Sequence, residues 1–243
     1  KIKKAKIRDI ESHGMLCAED EIGIGESHDG IIILNKEIKP GTKASKVFKS
    51  YSDKIFEIGL TPNRSDAISH FGVARDLRAA LCYRNDKQFE LISPSISNFN
   101  STIISPNFNI EILNPKDCSR FCGLIIDNIK VKDSPEFIQN RLKAIGLNPI
   151  NNIVDITNYV MFDLNRPLHA YDLDKIKNSI KVRNSIKGET LKALDNKTYI
   201  LKENMCVISD DEGALGLGGI IGGIKSGTEL NTKNILIESA YFD

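Results

Sequence analysis

Short strand-like segments fill the last part of the chain, and two helical segments precede them. The strand-like segments from residue 179 onward are "SIKVRNS", "ETLKAL", "YIL", "MCVIS", "GALGLGG" and "NILIESAYF". Strands that follow helices along a chain, instead of alternating with them, are typical of an α+β domain with antiparallel sheets. The sequence therefore predicts the α+β fold class for residues 108–243.

The two helical segments carry recognisable end signals. In "SPEFIQNRLKAIG", Ser134 is the predicted N-cap, Pro135 takes the first position and Gly146 lies just past the end. In "NNIVDITNYVMFDL" the apolar residues recur at helical spacing. They are Ile153, Ile156, Val160 and Leu164. The segment from Asn165 to Pro167 is expected to end this second helix.

The first 95 residues have a different pattern. The segments "KIKKAKIRDI", "MLCA" and "HDGIIIL" are predicted strands of a small β-barrel or sandwich, and "KIFEIGL" is a further predicted strand. A helix is predicted in "TPNRSDAISHFGVARDLRAAL", capped by Asn63 or Ser65. Gly72 inside this helix costs ~1 kcal/mol relative to Ala, which close approach of another backbone would explain. A linker rich in Ser, Asn and Pro follows.

The amino-acid composition limits the classes of protein to which this chain can belong. Of the 243 residues, 33 are basic and 32 acidic, so the net charge of +1 argues against a strongly basic nucleic-acid platform and leaves a local patch open. One predicted helix is surrounded by basic residues that could touch an RNA backbone, namely Arg64, His70, Arg75 and Arg78. A solvated face with an internal pair between Asp76 and an arginine is preferred. No apolar run approaches ~20 residues, so no membrane span is predicted.

The five cysteines fit no metal-binding or disulfide pattern. They are Cys17, Cys82, Cys118, Cys122 and Cys206. The count is odd, and no His or Cys stands near the one pair that is four residues apart. We expect reduced thiols, a cytoplasmic location and no metal site.

Three polar residues near the second helix are candidates for a site. Thr157 and Asn158 are adjacent inside the helix, where such residues compete for backbone hydrogen bonds. The alternative is that they bond neighbouring backbone or face solvent, and the residues alone favour that alternative. His169 follows the helix closely, and a single His is more often structural than catalytic.

A glycine run and one glutamate complete the candidates. "GLGGIIGG", from Gly216 to Gly223, lacks the pattern of a phosphate loop, so it is either a pocket wall with bare N–H groups facing a substrate or a set of tight turns. Glu238 stands between Leu236 and Ala240 on one face of a predicted strand. A buried Glu there would select for a hydroxyl group, because an unpaired buried acceptor is costly.

Four stretches of the chain together resemble the β subunit of bacterial phenylalanyl-tRNA synthetase. They are "LTPNRSDAISHFGVARDLRAAL", "NNIVDITNYVMFDLNRPLHAYDLDKI", "GLGGIIGG" and "TKNILIESAYFD". The resemblance extends to the N-terminal stretch and implies an inner portion of a longer subunit. It implies the end of an OB-type tRNA-binding-like domain in 1–36, a mixed α/β part of the B1 domain and a linker in 37–107, and the first part of the B3/B4 editing domain in 108–243.

The resemblance also implies roles for residues. Thr157, Asn158 and His169 match the family's editing residues that hold the ester of a mischarged tRNA, while Gly222 and Glu238 match those that contact the tyrosine hydroxyl. The family more often has Ala at the position of Gly218, which implies a slightly wider pocket here. Asp155 is expected to support the fold.

The implied function is editing within a ligase. The family attaches phenylalanine to its tRNA, using ATP and magnesium at an aminoacylation site in the α subunit, and works as a heterotetramer of two α and two β subunits. No cofactor is expected in residues 1–243. The alternatives are a non-catalytic module that binds tRNA or the α subunit, and a stand-alone deacylase, which the OB-like start argues against.

Overall fold

The structure, a computed structural model, describes residues 3–25, 27–48, 51–100 and 108–243. The chain divides into two compact units, Lys1–Lys54 and Ile55–Asp243. The mixed α+β class with mainly antiparallel sheets is confirmed, whereas the three-part division of the chain stays a prediction.

The first unit holds one β-hairpin and little other regular structure. Strands β1 (Ala5–Ile7) and β2 (Ile10–Ser12) pair antiparallel, and helix α1 covers Ala44–Val47. The strands predicted in "MLCA" and "HDGIIIL" are absent there, and Leu16 and Ile33 are exposed. Apolar residues alone do not favour a strand where no neighbouring strand of the described residues pairs with them. The described residues form no closed barrel.

The second unit begins with an irregular segment and a long helix. The predicted strand in "KIFEIGL" is wrong, since these residues lie exposed and outside any strand. Helix α2 (His70–Asn85) is capped by Ser69, whose hydroxyl accepts from the Gly72 N–H at 2.9 Å, and not by Asn63 or Ser65. A Cβ on Gly72 would lie 2.5 Å from the carbonyl oxygen of Asp66, which confirms the close backbone approach.

The ion pairs around α2 are internal, as preferred from the sequence. Arg64 bonds Asp66 at 2.9 Å and Asp76 at 2.5 Å, and Arg75 also pairs with Asp66. These contacts raise the pKa of Arg64 and lower the pKa of Asp66. The acidic residues therefore occupy two of the arginines that could otherwise meet a phosphate backbone.

Two further helices pack against each other and precede the strands of residues 169–243. Helix α3 covers Glu136–Ala144 and α4 covers Asn152–Leu164, with the Asn151 side chain accepting from two N–H groups of the first turn. Ser134 does not cap α3, because its hydroxyl donates to the Asp155 carboxylate. Asp155 is 1% exposed and also accepts from the Ile150 N–H at 2.8 Å, so its predicted support of the fold is confirmed.

Among the described residues of the second unit, ten strands form two larger sheets and one hairpin. They are β3 (Asn109–Ile112), β4 (Cys118–Ile126), β5 (His169–Asp172), β6 (Ser179–Asn184), β7 (Thr190–Lys192), β8 (Thr198–Ile200), β9 (Cys206–Ser209), β10 (Ala214–Leu217), β11 (Ile221–Gly222) and β12 (Ile235–Phe242). The five-stranded sheet has the order β11-β10-β9-β6-β3, in which β3 and β6 run parallel. The antiparallel three-stranded sheet has the order β4-β12-β5.

The two larger sheets face each other across the main core. Its buried residues come from both sheets and include Phe121, Tyr171 and Leu236 on one side and Ile180, Val182, Ile208 and Leu215 on the other. A Cβ on Gly123 of β4 would lie 2.5 Å from Ile110 Cδ1 of β3, so the sheets approach closely there. Within the described part of the chain no helix is long and apolar enough to cross a membrane.

Candidate functional site

A cleft of about 590 Å³ opens between the two sheets. Strands β5 and β12 supply one wall, and the hairpin of β10 and β11 supplies the other. The predicted site residues His169, Gly218, Gly222 and Glu238 all line it. The segment Pro167–Leu168 and the end of β12 complete the lining. Four of the six predicted site residues thus meet at one cleft, although they are up to 69 positions apart in sequence.

Strand pairing brings Glu238 and His169 side by side. The antiparallel register of β12 and β5 sets Glu238 opposite His169 and Leu236 opposite Tyr171. Side chains directly opposite in such a pair point to the same face. His169 and Tyr171 are two residues apart on β5, so both share this face with Glu238.

Glu238 is a buried carboxyl group with one committed oxygen. It is 7% exposed, and its Oε2 accepts a hydrogen bond from the Tyr171 hydroxyl. Burial raises the pKa of Glu238 to about 7, although the Tyr171 hydrogen bond acts in the opposite direction. Its Oε1 makes no hydrogen bond to any described residue. A ligand hydroxyl in the cleft could therefore use this oxygen.

His169 presents a neutral ring with an unsatisfied nitrogen. Burial lowers its pKa to about 4, so the imidazole is uncharged near neutral pH. Its Nε2 is buried and has no hydrogen-bond partner among the described residues. The ring stands edge-on to Tyr171, with centroids 4.5 Å apart. A buried nitrogen without a partner in a cleft is a natural contact for a water or a ligand.

The glycine run forms both a turn and a wall. Gly219 has φ +68°, and Gly216 pairs with Gly222 across the β10–β11 hairpin. The prediction of bare N–H groups is wrong for Gly218 and Gly223, whose N–H groups donate to the carbonyls of Cys206 (3.0 Å) and Leu215 (2.6 Å). The glycine run leaves space in the cleft because it lacks side chains, and these two N–H groups are not free to donate to a ligand.

The position of Gly218 differs from what the resemblance implied. A Cβ there would lie 2.9 Å from Phe242 Cε1 and 3.0 Å from Cys206 Sγ. The space that a methyl group would take is therefore filled by the Phe242 ring and the Cys206 thiol. The glycine does not widen the pocket at this point.

Thr157 and Asn158 do not line the cleft. Thr157 is 9% exposed, and its hydroxyl donates to the Val154 carbonyl at 2.8 Å within α4. Asn158 is half-buried. Ile156 is 44% exposed, and the buried residues of α4 are Ile153, Asp155 and Thr157, so of the four predicted apolar positions Ile153 alone is fully buried. The roles predicted for Thr157 and Asn158 stay predictions.

Tyr171 is a part of the site that sequence reasoning missed. It is 1% exposed, and its pKa lies well above the ordinary value because of burial and the Glu238 carboxylate. The signal was available in its spacing of two residues from His169 along a strand.

The described residues contain no group of three or more His, Cys, Asp or Glu placed to hold a metal ion. All five cysteines are free thiols, as expected. Cys118 and Cys206 are buried or half-buried, and burial raises the pKa of both, that of Cys206 to about 11.

Comparison with known proteins gives consistent matches. Residues 117–243 match the B3/4 domain family. The chain is 45% identical over 242 residues to the phenylalanine–tRNA ligase β subunit of Bacteroides fragilis, with 99% of this chain and 29% of that protein covered. It is 45% identical over 244 residues to that of Fusobacterium nucleatum, with 100% and 30% covered.

Two further proteins are similar to this chain. The β subunit of Aquifex aeolicus is 42% identical over 234 residues, covering 96% of this chain and 29% of that protein. The chain thus spans under a third of the length of these relatives. An N-terminal fragment of the phenylalanyl-tRNA synthetase β-subunit from Pyrococcus horikoshii aligns with 74% of this chain and 53% of that one, at a TM-score of 0.45 and 17% identity. The family match and the three relatives of 42–45% identity confirm the predicted resemblance.

Proposed function

Because the chain belongs to the B3/4 domain family, we propose that it is the editing part of a phenylalanyl-tRNA synthetase β subunit. Its reaction is the hydrolysis of tyrosine that has been wrongly attached to phenylalanine tRNA. The single observation that carries the proposal is that Glu238 and His169 line one cleft, each with a hydrogen-bonding atom that no described residue occupies.

Glu238 is suited to recognise the tyrosine side chain. Tyrosine and phenylalanine differ only in the para-hydroxyl group, which is a hydrogen-bond donor. With tyrosine in the cleft that hydroxyl donates to Glu238 Oε1, whereas phenylalanine leaves the buried carboxyl without a second partner. Sites that hydrogen-bond a substrate hydroxyl can reject the analogue lacking it by ~10⁴–10⁵. The cleft therefore admits the wrong product and spares the right one.

His169 is suited to hold the ester end of the substrate. Its neutral imidazole can donate to or accept from the ester or the attacking water, depending on which nitrogen carries the proton. Water adds to the ester carbonyl, the bond to the tRNA ribose oxygen breaks, and tyrosine and tRNA with a restored hydroxyl leave. Positioning of the water supplies much of the rate in a site without a strong base.

The remaining predicted residues take supporting parts in this proposal. Thr157 and Asn158 lie on α4, next to the chain segment that leads into β5, and act on the ester end after tRNA binds. Gly222 leaves room for the His169 ring, and Gly218 belongs to the turn beneath the cleft. Within the complete synthetase the partners are the α subunit and phenylalanine tRNA, in a heterotetramer of two α and two β subunits, with ATP and Mg²⁺ serving aminoacylation elsewhere.

The test presents tyrosyl- and phenylalanyl-tRNA to the complete synthetase with Glu238→Ala or His169→Ala. We expect each change to slow tyrosyl-ester hydrolysis by about 10²-fold or more while aminoacylation continues. Undiminished hydrolysis in Glu238→Ala would remove that residue from the site. Equal loss of both activities in His169→Ala would make that residue structural.

The alternative function is a non-catalytic module that binds tRNA or the α subunit. One observation favours it: the Thr157 hydroxyl is engaged within its own helix and lies outside the cleft lining. Under this alternative, both variants hydrolyse tyrosyl-tRNA like the unchanged synthetase, and only tRNA affinity or assembly changes.

A further inference from the structure

We propose that Tyr171 is the positioning residue that holds the Glu238 carboxylate so that its second oxygen faces the cleft and selects the hydroxyl of a misattached tyrosine. The inference rests on the proposed editing function and adds a residue to its specificity. It starts from one contact: the buried Tyr171 hydroxyl donates to Glu238 Oε2, while Oε1 has no partner among the described residues.

The fold fixes Tyr171 from several sides. Its ring belongs to the main core, and Leu236 stands opposite it across the β5–β12 pair. The His169 ring packs against it edge-on at 4.5 Å between centroids. A side chain that is 1% exposed and held in this way places its hydroxyl at a constant point. The Glu238 carboxyl group that bonds to this hydroxyl therefore has a defined rotation.

The direction of the hydrogen bond matters for selection. A phenol that donates to one carboxylate oxygen leaves the other oxygen as an acceptor. The hydroxyl of a bound tyrosine then becomes the second donor to the same carboxylate. Without the Tyr171 hydroxyl as a donor, the desolvated Glu238 carboxyl group takes up a proton more readily. It then presents either a protonated oxygen, which donates, or an unprotonated oxygen, which accepts, to the cleft. Tyr171 thus keeps Glu238 an acceptor.

The groups that face Glu238 do not change charge near neutral pH. From β5 they are His169, which burial keeps neutral with a pKa of about 4, and Tyr171, whose pKa is raised well above its usual value. Cys118 of β4 and Cys206 of β9 also interact with the Glu238 carboxylate, and burial raises the pKa of both thiols. A pH dependence around neutrality in this cleft therefore reports Glu238, whose pKa is raised to about 7.

The experiment measures tyrosyl-tRNA hydrolysis by the complete synthetase against pH. The active form of Glu238 is the carboxylate, so the rate rises with pH through its pKa. In Tyr171→Phe the carboxylate of Glu238 loses a hydrogen bond that stabilises its charged form. Because such a hydrogen bond lowers a carboxyl pKa by about one unit, the rise in rate should shift to higher pH by about one unit. In Glu238→Gln the rise is absent. Phenylalanine attachment in the same samples reports that each variant is folded and assembled.

A matched control is available elsewhere in the chain. Tyr199 donates to the Asp195 carboxylate at 2.7 Å on the surface, outside the cleft lining. Tyr199→Phe removes the same kind of hydrogen bond, and we expect it to leave the pH profile unchanged. If Tyr171→Phe does not fold, 3,5-difluorotyrosine at position 171 replaces it. This stronger donor keeps the ring and should move the rise to lower pH.

The outcomes separate the inference from the function on which it rests. An upward move in Tyr171→Phe, or a downward move with difluorotyrosine, supports the role of Tyr171. A rate that falls equally at every pH, or a profile that does not move, overturns it while the editing function stands. Normal hydrolysis in Glu238→Gln overturns the inference, because then Glu238 does not select the hydroxyl, whereas a complete synthetase that does not hydrolyse tyrosyl-tRNA at any pH overturns the editing function itself.

Discussion

The imidazole of His169 lies where a side chain on Gly222 would have to be. A Cβ on Gly222 would be 2.5 Å from His169 Cε1 and 2.7 Å from His169 Nε2, and 3.2 Å from Leu194 Cδ1. These two residues come from different sheets, so the contact joins the two walls of the cleft. The glycine is required here for close approach and not for an unusual φ.

Gly222→Ala should therefore reduce the proposed editing activity by displacing the His169 ring. The added methyl group forces the ring out of its place, because real Cβ atoms do not approach other atoms this closely. We expect a loss of tyrosyl-tRNA hydrolysis comparable to that of His169→Ala, and a stability loss of about 1–3 kcal/mol. Hydrolysis assays and urea unfolding measure the two effects.

Gly59→Ala serves as the control for this substitution. A Cβ on Gly59 meets no atom within 4 Å. This change should leave hydrolysis unaltered. If Gly222→Ala also hydrolyses tyrosyl-tRNA at the normal rate, then either the ring moves without consequence or His169 does not hold the ester.

The pH dependence of stability should reveal two opposing buried groups. His169 has a pKa of about 4 in the fold, below its ordinary value of 6.5, so the unfolded chain binds more protons and stability rises with pH from about 4 to 6.5. Glu238 has a pKa of about 7, above its ordinary 4.5, so the folded chain holds more protons and stability falls from pH 4.5 to 7. The two contributions nearly cancel between pH 4.5 and 6.5.

Glu238→Gln should remove this cancellation. Relative to the unchanged chain, its free energy of unfolding should rise between pH 4.5 and 7 by up to about 3 kcal/mol, because the cost of ionising the buried carboxyl disappears. Urea unfolding at a series of pH values measures the difference, with the exposed Glu203→Gln as a control for charge. A difference that does not depend on pH would contradict a raised pKa of Glu238.

End residues and hydrophobic patterns predicted those helices and strands whose buried side chains lie where the pattern placed them. Helix α4 ends near Asn165, as the segment from Asn165 to Pro167 predicted, and β12 presents Leu236 and Glu238 on one face. The strands predicted in "MLCA" and "HDGIIIL" did not form, whereas the alternating first segment forms the β1–β2 hairpin although its residues are mostly exposed. A strand needs a pairing partner as well as a suitable pattern, and the segment itself does not encode that partner.

Four residues of the candidate cleft were predicted from the sequence, but their contacts were not. His169, Gly222 and Glu238 were recognised through motifs, and strand pairing brings them together. Tyr171 escaped notice because its role depends on the register of β5 with β12, which the local sequence does not state. Asp155 was expected to support the fold, and its buried contacts with Ser134 and the Ile150 N–H agree with that expectation.

Asp155→Ala should destabilise the chain without entering the chemistry. The change leaves the Ser134 hydroxyl and the Ile150 N–H, both partners of the buried carboxylate, without an acceptor. We expect a loss of about 2–4 kcal/mol in the free energy of unfolding, since unsatisfied buried groups cost about 1–3 kcal/mol each. Asp163→Ala in the same helix is the control, because Asp163 has only a 3.7 Å contact with His70. A selective loss of hydrolysis at normal stability would instead make Asp155 part of the site.

Gly218→Ala should be unfavourable in this chain although its relatives are expected to carry Ala there. The added methyl group meets the Phe242 ring at 2.9 Å and the Cys206 thiol at 3.0 Å. Overpacking of this kind costs about 1–3 kcal/mol. Phe242→Leu removes the ring edge, so the double variant should lose less stability than the two single variants add up to, with a coupling of about 1 kcal/mol. Urea unfolding of the four chains measures the coupling. Strict additivity would mean that Phe242 does not fill the space beside Gly218 and that the pocket is open there after all.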